Sequence, residues 1–432
     1  MICENISRTE EGELCFASTP LLPLAKKYGT PLYLYDEDRI RERCRTYLSA
    51  VKDAFFGKAK VLYASKAASF TRLYEIMKEE GMGIDVVSSG EIYTAKRAHF
   101  PLEAAYFHSN NKTDEDICYA IECGVGYFVV DNEEELYAID RIAKERGTVA
   151  KVLLRITPGI DPHTYAAVAT GKVDSKFGSA IETGQADEIV AIALSLKNID
   201  LRGFHCHIGS QLFDSDVYLR AAEVMLNFTA HIYEKEGYLA SELDIGGGFG
   251  VRYVEEQPEI DIRANILEVA AFMRAHADSL NIPLPEIAFE PGRSIVADAG
   301  MTLYTVGTVK NIPGYKTYVS VDGGMADNPR YALYGSPYTL LPVKSELPDD
   351  AMTCSVVGRC CESGDILQEN VLMPKDIHRG DVIACLTTGA YHYSMSSNYN
   401  KLPRPPIVMI KDRESYVAVR RETPEHLAML DT

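Results

Sequence analysis

The chain has 432 residues, of which 46% are hydrophobic and 25% charged, with a formal net charge of −18. That length predicts two domains, and the composition is that of an ordinary folded protein. The acidic balance argues against nucleic acid or an anionic membrane as partner. No apolar run reaches the about eighteen residues of a membrane span, and the N-terminus carries acidic groups in place of a secretory apolar block. Ten cysteines without a Cys-x-x-Cys pair read as reduced thiols, which places the protein in the cytoplasm. An anionic substrate would need a local basic pocket set against the overall field.

In chain order, residues 1–30 are mixed and punctuated by Pro20 and Pro23; they read as a segment packing with the later β-domain. Pro31–Tyr35 predicts a short strand, and Asp36 caps a helix reaching about Phe55. Then short apolar runs recur at Val61–Ala64, Ile84–Val87, Ala104–Phe107, Tyr127–Val130, Val152–Ile156, Leu201–Ile208, Leu243–Ile245 and Ile287–Phe289. Helical patterns fill nearly every gap. Thr113 with Asp116 starts one helix and Gly124 ends it; Asn132 with Glu135 starts another, closed by Gly147. Longer helices are predicted over Ile181–Leu196, Ser215–Glu236 and Arg263–Ser279.

Eight strands alternating with helices predict a (β/α)8 barrel over residues 31–293, with an open doubly wound sheet as the rival. The long connection Thr157–Ala180, containing His163, Gly171, Lys172, Lys176 and Gly178, reads as functional because compact domains rarely keep such loops otherwise. After Arg293 the rhythm stops. Thr302–Ile312, Tyr318–Val321, Met352–Val357, Asp381–Leu386, Ile407–Ile410 and Tyr416–Val419 are β-branched and aromatic, separated by Gly-rich turns, and predict an all-β domain over 294–432.

Barrels place chemistry at the C-terminal ends of their strands. There stand Lys66, Asp85, Arg155, His205-Cys-His207, Asp244 with the run Gly246-Gly-Gly248, and Glu290-Pro-Gly-Arg293. A lysine at the mouth of a dry strand either snorkels to water or carries a carbonyl as a Schiff base through a lowered pKa. The glycine run is a tight turn or an anion cradle of backbone amides. His205 and His207 lie on one side of a strand. They are zinc ligands, satisfied core histidines, or an imidazole packed on a flat ring; zinc is disfavoured because Cys206 faces the other way and Cys360 and Cys361 are distant in sequence. Glu290 leaves a dry strand and needs a partner. Arg293 would serve, and so would a protonated ring nitrogen. Together these features specify pyridoxal phosphate, which no single one does.

The stretches Tyr63-Ala-Ser-Lys66, Asp85-Val-Val-Ser-Ser-Gly-Glu91, Thr170-Gly171 with Ser175-Lys-Phe-Gly178, His205-Cys-His-Ile-Gly-Ser-Gln211, Asp244-Ile-Gly-Gly-Gly248, Glu290-Pro-Gly-Arg293, Asp327-Asn-Pro-Arg330 with Ala332-Leu-Tyr334, Cys361-Glu-Ser-Gly-Asp365 and Gly389-Ala-Tyr391 resemble the diaminopimelate decarboxylases of the fold-type III group. The resemblance runs in order from about residue 30 to about residue 400. It implies an alanine-racemase-like barrel with a C-terminal β-sandwich or β-barrel domain. It implies pyridoxal 5′-phosphate held by Lys66, with His207 on its ring and Ser210 and Gly246, Gly247 and Gly248 at its phosphate. Glu290 would stand at its ring nitrogen, with Asp85, Arg155, Pro291, Gly292, Arg293 and Tyr391 also lining the cofactor. Arg293, Arg330 and Tyr334 would grip the distal carboxylate of meso-2,6-diaminopimelate, Glu362 its distal ammonium, and Tyr391 would touch cofactor and substrate. Cys361 would come from the second subunit of a homodimer and return a proton. The product would be L-lysine. The rival functions are a related decarboxylase of ornithine, lysine or carboxynorspermidine, and a non-catalytic carrier of the cofactor. The segment Tyr331-Ala-Leu-Tyr-Gly-Ser-Pro-Tyr338 departs from the family pattern, which often begins with proline and ends near a histidine.

Overall fold

The computed structural model describes residues 2–160, 171 and 173–432. Contacts divide the chain into two compact units: Arg43–Gly250 with Glu259–Ser294, and Met1–Glu42 with Val251–Pro258 and Ile295–Thr432.

The first unit is a closed barrel. Its strands are β1 (Ala59–Ala64), β2 (Gly83–Val86), β3 (Ala105–Phe107), β4 (Tyr127–Val130), β5 (Ala150–Thr157), β6 (Ile199–His205), β7 (Glu242–Asp244) and β8 (Glu286–Phe289). All neighbours are parallel, β8 pairs with β1, and β4 pairs with β5 through Phe128↔Val152 to Val130↔Leu154, which closes the ring. The open doubly wound sheet is thereby excluded. Leu62, Tyr106, Val129, Leu153 and Ala288 fill part of the interior, so the barrel is a packed core with no pore. At the N-terminal ends of the strands, Lys60 bridges Glu242 (2.9 Å) and Glu286 (2.8 Å), and Tyr106 donates to Glu242 (2.6 Å). Charged groups at that end are paired with one another, and the opposite end is left to the chemistry.

The helices start where local chemistry starts them. Asp114–Cys123 opens on a reciprocal capping box of Thr113 with Asp116 and closes on left-handed Gly124; Glu133–Glu145 opens on the Asn132 side chain. Ser215–Glu236 and Ile262–Ser279 follow their apolar patterns closely, whereas Gln185–Ser195 starts after Gly184, four residues later than its pattern suggests. Part of the Thr157–Ala180 connection, with His163, Thr170 and Lys172, lies outside the described residues.

The second unit holds a nine-stranded sheet built around the long strand Gly300–Ile312, which pairs antiparallel with Lys316–Val321, Val382–Leu386 and Leu32–Asp36. Leu32–Asp36 is thus a strand of this sheet and not of the barrel; it is buried throughout and pairs parallel with Ile407–Lys411 on its other side. Ile6–Arg8, Leu14–Phe16 and Thr19–Pro20 form a small three-stranded sheet of their own. Leu14, Phe16, Leu21, Leu32, Leu34, Met301, Leu303, Leu386, Val408 and Ile410 share one core. Among the described residues, no helix is long and apolar enough to cross a membrane.

Candidate active site

β1 ends in a single turn of 3-10 helix, Ser65–Ala67, in which Ser65 and Ala67 are buried and Lys66 is exposed. The turn is fixed by Asp85 at the end of β2, whose Oδ1 accepts the amide N–H of Ser65 at 3.0 Å. Pro291 and Gly292 back the same strand: Ala64 donates its amide to Pro291 O (3.1 Å), and a methyl built on Gly292 would stand 2.8 Å from the Ala64 methyl. Lys66 therefore projects from a rigid base.

Beneath the mouth lies Glu290, buried. Of the two partners the sequence offers, Arg293 is not the one the structure supplies. Arg293 donates through Nε and Nη2 to Ser210 Oγ (3.1 and 3.0 Å). Glu290 instead meets His108 Nε2 at 2.8 Å and His205 Nε2 at 3.2 Å, one on each carboxylate oxygen. His205 belongs to the residues read from the sequence. His108 does not, although it follows β3 directly, where the same strand-end rule points. Burial would raise the Glu290 carboxyl, but the two histidines outweigh it and hold the group well below the usual carboxylate range. Neighbouring acids move the other way. Burial and the Glu290 charge push Asp244 well up, and burial with the same charge pushes Asp85 up to about 6. Burial lowers His205 to about 4 despite Glu290, so its imidazole is neutral at neutral pH.

The glycine run packs where side chains cannot. Methyl groups at Gly246, Gly247 and Gly248 would stand 2.7 Å from Cys206 O, 2.0 Å from Glu290 O and 2.3 Å from Gly209 O, and Gly246 and Gly248 have φ of +71° and +109°. Gly246 N–H is committed to Asp244 Oδ1 at 2.7 Å. Among the described residues, no backbone acceptor takes the Gly248 amide. His207 lies against this run, with Gly247 N 3.4 Å from its Nδ1. Burial first, then the nearby Lys66 and Arg155 charges, push its pKa well down and leave a neutral ring. Arg155 on β5 stacks on Phe177 at 4.3 Å. Gly178 donates to Asp131 at 2.9 Å, which ties the described end of the long connection to the end of β4.

In the second unit the short helix Arg330–Tyr334 follows Pro329. Arg330 is buried, and its guanidinium carbon lies 5.3 Å from the ring centres of both Tyr334 and Tyr391. The structure thus gathers three residues that the sequence separates by up to sixty-one positions. Cys361 and Glu362 stand exposed on a loop braced by buried Asp365, which accepts the amides of Met325 (2.6 Å) and Cys360 (2.7 Å). Gly324 and Gly358 leave room for that carboxylate; a methyl on Gly358 would reach 2.3 Å from it. Cys361 donates its own amide to Asn400 Oδ1 at 2.7 Å.

These residues fit pyridoxal phosphate. An exposed amine at a strand mouth, a buried anionic carboxylate, a neutral imidazole beside a glycine turn and an amide open toward an anion match its aldehyde, ring nitrogen, ring face and phosphate. Residues 37–297 match the family described as pyridoxal-dependent decarboxylase, pyridoxal binding domain, which sets the class of the protein. The chain is 42% identical to a diaminopimelate decarboxylase of Bacillus subtilis, covering 100% of this chain and 98% of the relative, and 41% identical to one of Staphylococcus aureus, covering 99% and 100%. A crystal structure of diaminopimelate decarboxylase from M. jannaschii in co-complex with L-lysine superposes with a TM-score of 0.92 at 31% identity, over 100% of this chain and 98% of that one. The chain belongs to the diaminopimelate decarboxylase family, and its cofactor is pyridoxal 5′-phosphate.

Proposed function

We propose that this protein decarboxylates meso-2,6-diaminopimelate to L-lysine, the last step of lysine biosynthesis, in the cytoplasm and as a homodimer with shared active sites. The observation that carries the reading is the exposed Lys66 amine at the mouth of a barrel whose buried Glu290 is held as an anion. Bound pyridoxal phosphate supplies the electron sink that lets a carboxylate leave an amine-bearing carbon.

The chain's residues do the rest. Lys66 Nζ is the group that would hold the cofactor, through its aldehyde carbon. Glu290 keeps a proton on the ring nitrogen by its charge. His207, neutral, covers the ring face without competing for that proton. Ser210, braced by Arg293, and the Gly246–Gly248 turn would receive the phosphate, with Asp85, Arg155, Pro291 and Gly292 completing the lining. Arg330, with Tyr334 and Arg293, takes the distal carboxylate of the substrate, and Glu362 its distal ammonium; Tyr391 contacts cofactor and substrate. Cys361 Sγ, from the neighbouring subunit, returns a proton to the α-carbon. Ornithine and lysine lack the distal carboxylate and would leave a buried guanidinium unmatched, which is a strong basis for rejection.

Carbon dioxide release from meso-diaminopimelate, lysine, ornithine and carboxynorspermidine, each with the cofactor supplied, tests this. Release from meso-diaminopimelate is expected to exceed the others by at least roughly a hundredfold in kcat/KM. Faster release from another substrate, or none from any with the cofactor bound, overturns it.

A further inference from the structure

Glu290 is stabilised in an unusual way. Its Oε2 is hydrogen-bonded to His205 of β6 at 3.2 Å, while His108, just after β3, approaches Oε1 to 2.8 Å without hydrogen-bond geometry, the two rings standing edge to face at 5.0 Å. Among the described residues no lysine or arginine is in hydrogen-bond contact with it. His205 Nδ1 is buried without a partner, so the proton of a neutral ring belongs on Nε2, where it is donated to Glu290. The difference from a guanidinium partner is one of charge. An arginine would stabilise the carboxylate and cancel it, presenting zero net charge to anything beyond. An uncharged N–H donor such as His205 stabilises it and leaves the full negative charge in place.

We propose that His205 is a positioning residue of the reaction: as an Nε2–H donor it holds Glu290 as an anion toward the cofactor's ring nitrogen, so that this nitrogen stays protonated throughout the working pH range. The inference rests on the placement of the cofactor above. The other groups facing Glu290 are Asp85 on β2, Asp244 on β7, Arg155 on β5, and Cys206 and His207 after β6. Asp244 is pushed toward its neutral form and Arg155 is attractive, so neither turns the carboxylate into its acid; Asp85 is the one repelling charge.

The test uses the holoenzyme and the single variants His205→Leu and His205→Gln. The readouts are the absorbance of the bound cofactor as a function of pH, the cofactor dissociation constant, and kcat and KM separately. Leucine removes the donor, and burial then protonates Glu290. The absorbance titration is expected to move by at least about one pH unit, with kcat falling roughly tenfold to a hundredfold and KM changing less than about threefold. Glutamine keeps an N–H donor and is expected to restore the wild-type profile. A leucine variant with the wild-type absorbance profile, or a glutamine variant that shifts as the leucine one does, overturns the inference. A measurement on the unaltered protein decides even where a leucine variant fails to fold: 15N-labelled histidine spectra should show the His205 ring as the neutral Nε2–H tautomer at neutral pH, and an imidazolium there overturns the inference. A wild-type protein that binds no cofactor fails earlier, at the reading of the site itself, and takes the inference with it.

Discussion

Asp327 shows what burial alone does to one carboxyl. It is buried, and that burial pushes it up to about 7 although Tyr304 and the Gly324 amide both donate to it. A carboxyl whose pKa is higher folded than unfolded binds more protons in the native state, so its favourable contribution is complete below about pH 4 and disappears as pH rises through about 7. Asp327→Asn removes that dependence. Denaturant midpoints of wild type and variant should converge at acid pH, and the wild type should lose roughly 4 kcal/mol relative to the variant by pH 8. Parallel stability curves would mean that Asp327 is already ionised in the fold. His205 carries the opposite sign. Its pKa is depressed to about 4, so its contribution is present above the ordinary histidine range and is lost as pH falls toward that value.

At the level of elements, the caps are the most local devices and the most readable. Thr113 accepts the Asp116 amide at 3.2 Å and Asp116 returns the bond at 3.2 Å; Thr113→Ala should cost about 1 kcal/mol, read as a lowered urea midpoint with unchanged slope. The glycine turn after β7 depends on the end of β8, because a methyl at Gly247 meets the Glu290 carbonyl at 2.0 Å. Gly247→Ala should therefore weaken cofactor binding at least about tenfold, and binding at wild-type strength would remove the turn from the phosphate site. The strand ends of the barrel were legible for the same local reason: a dry apolar run followed by a polar residue marks where the chain surfaces. His108 obeys that rule too, directly after β3. What was not legible is non-local. That Glu290 would meet two histidines and Arg293 a serine depends on ring closure, which brings β3, β6 and β8 around one axis. Leu32–Asp36 reads as any buried strand, and only its pairing with Gly300–Leu303 assigns it to the second sheet. Ile366–Met373 escaped notice because Gln368, Glu369 and Asn370 interrupt its alternation, and the structure accommodates them with register shifts opposite Cys354–Val357 and a φ of +56° at Asn370.

For the molecule as a whole, the net charge of −18 favours a substrate recognised by specific pairing over one drawn in by a basic field. The proposed substrate, with two carboxylates and two ammonium groups to be met by arginines and Glu362, suits that. The proposed sharing of sites between two copies has a quantitative consequence. Lys66→Ala and Cys361→Ala proteins are each expected to be nearly inactive, but subunits mixed and allowed to exchange should recover roughly a quarter of wild-type activity, since hybrid dimers carry one intact site. No recovery after demonstrated exchange would place Cys361 and Lys66 of one site on a single chain. The most direct measurement of the central claim is chemical: saturate the protein with pyridoxal phosphate, reduce with borohydride, digest, and locate the attached pyridoxyl group by mass spectrometry. Attachment at Lys66, stoichiometric and absent from Lys66→Ala, is the predicted result; no attachment, or attachment at another lysine, would contradict the account.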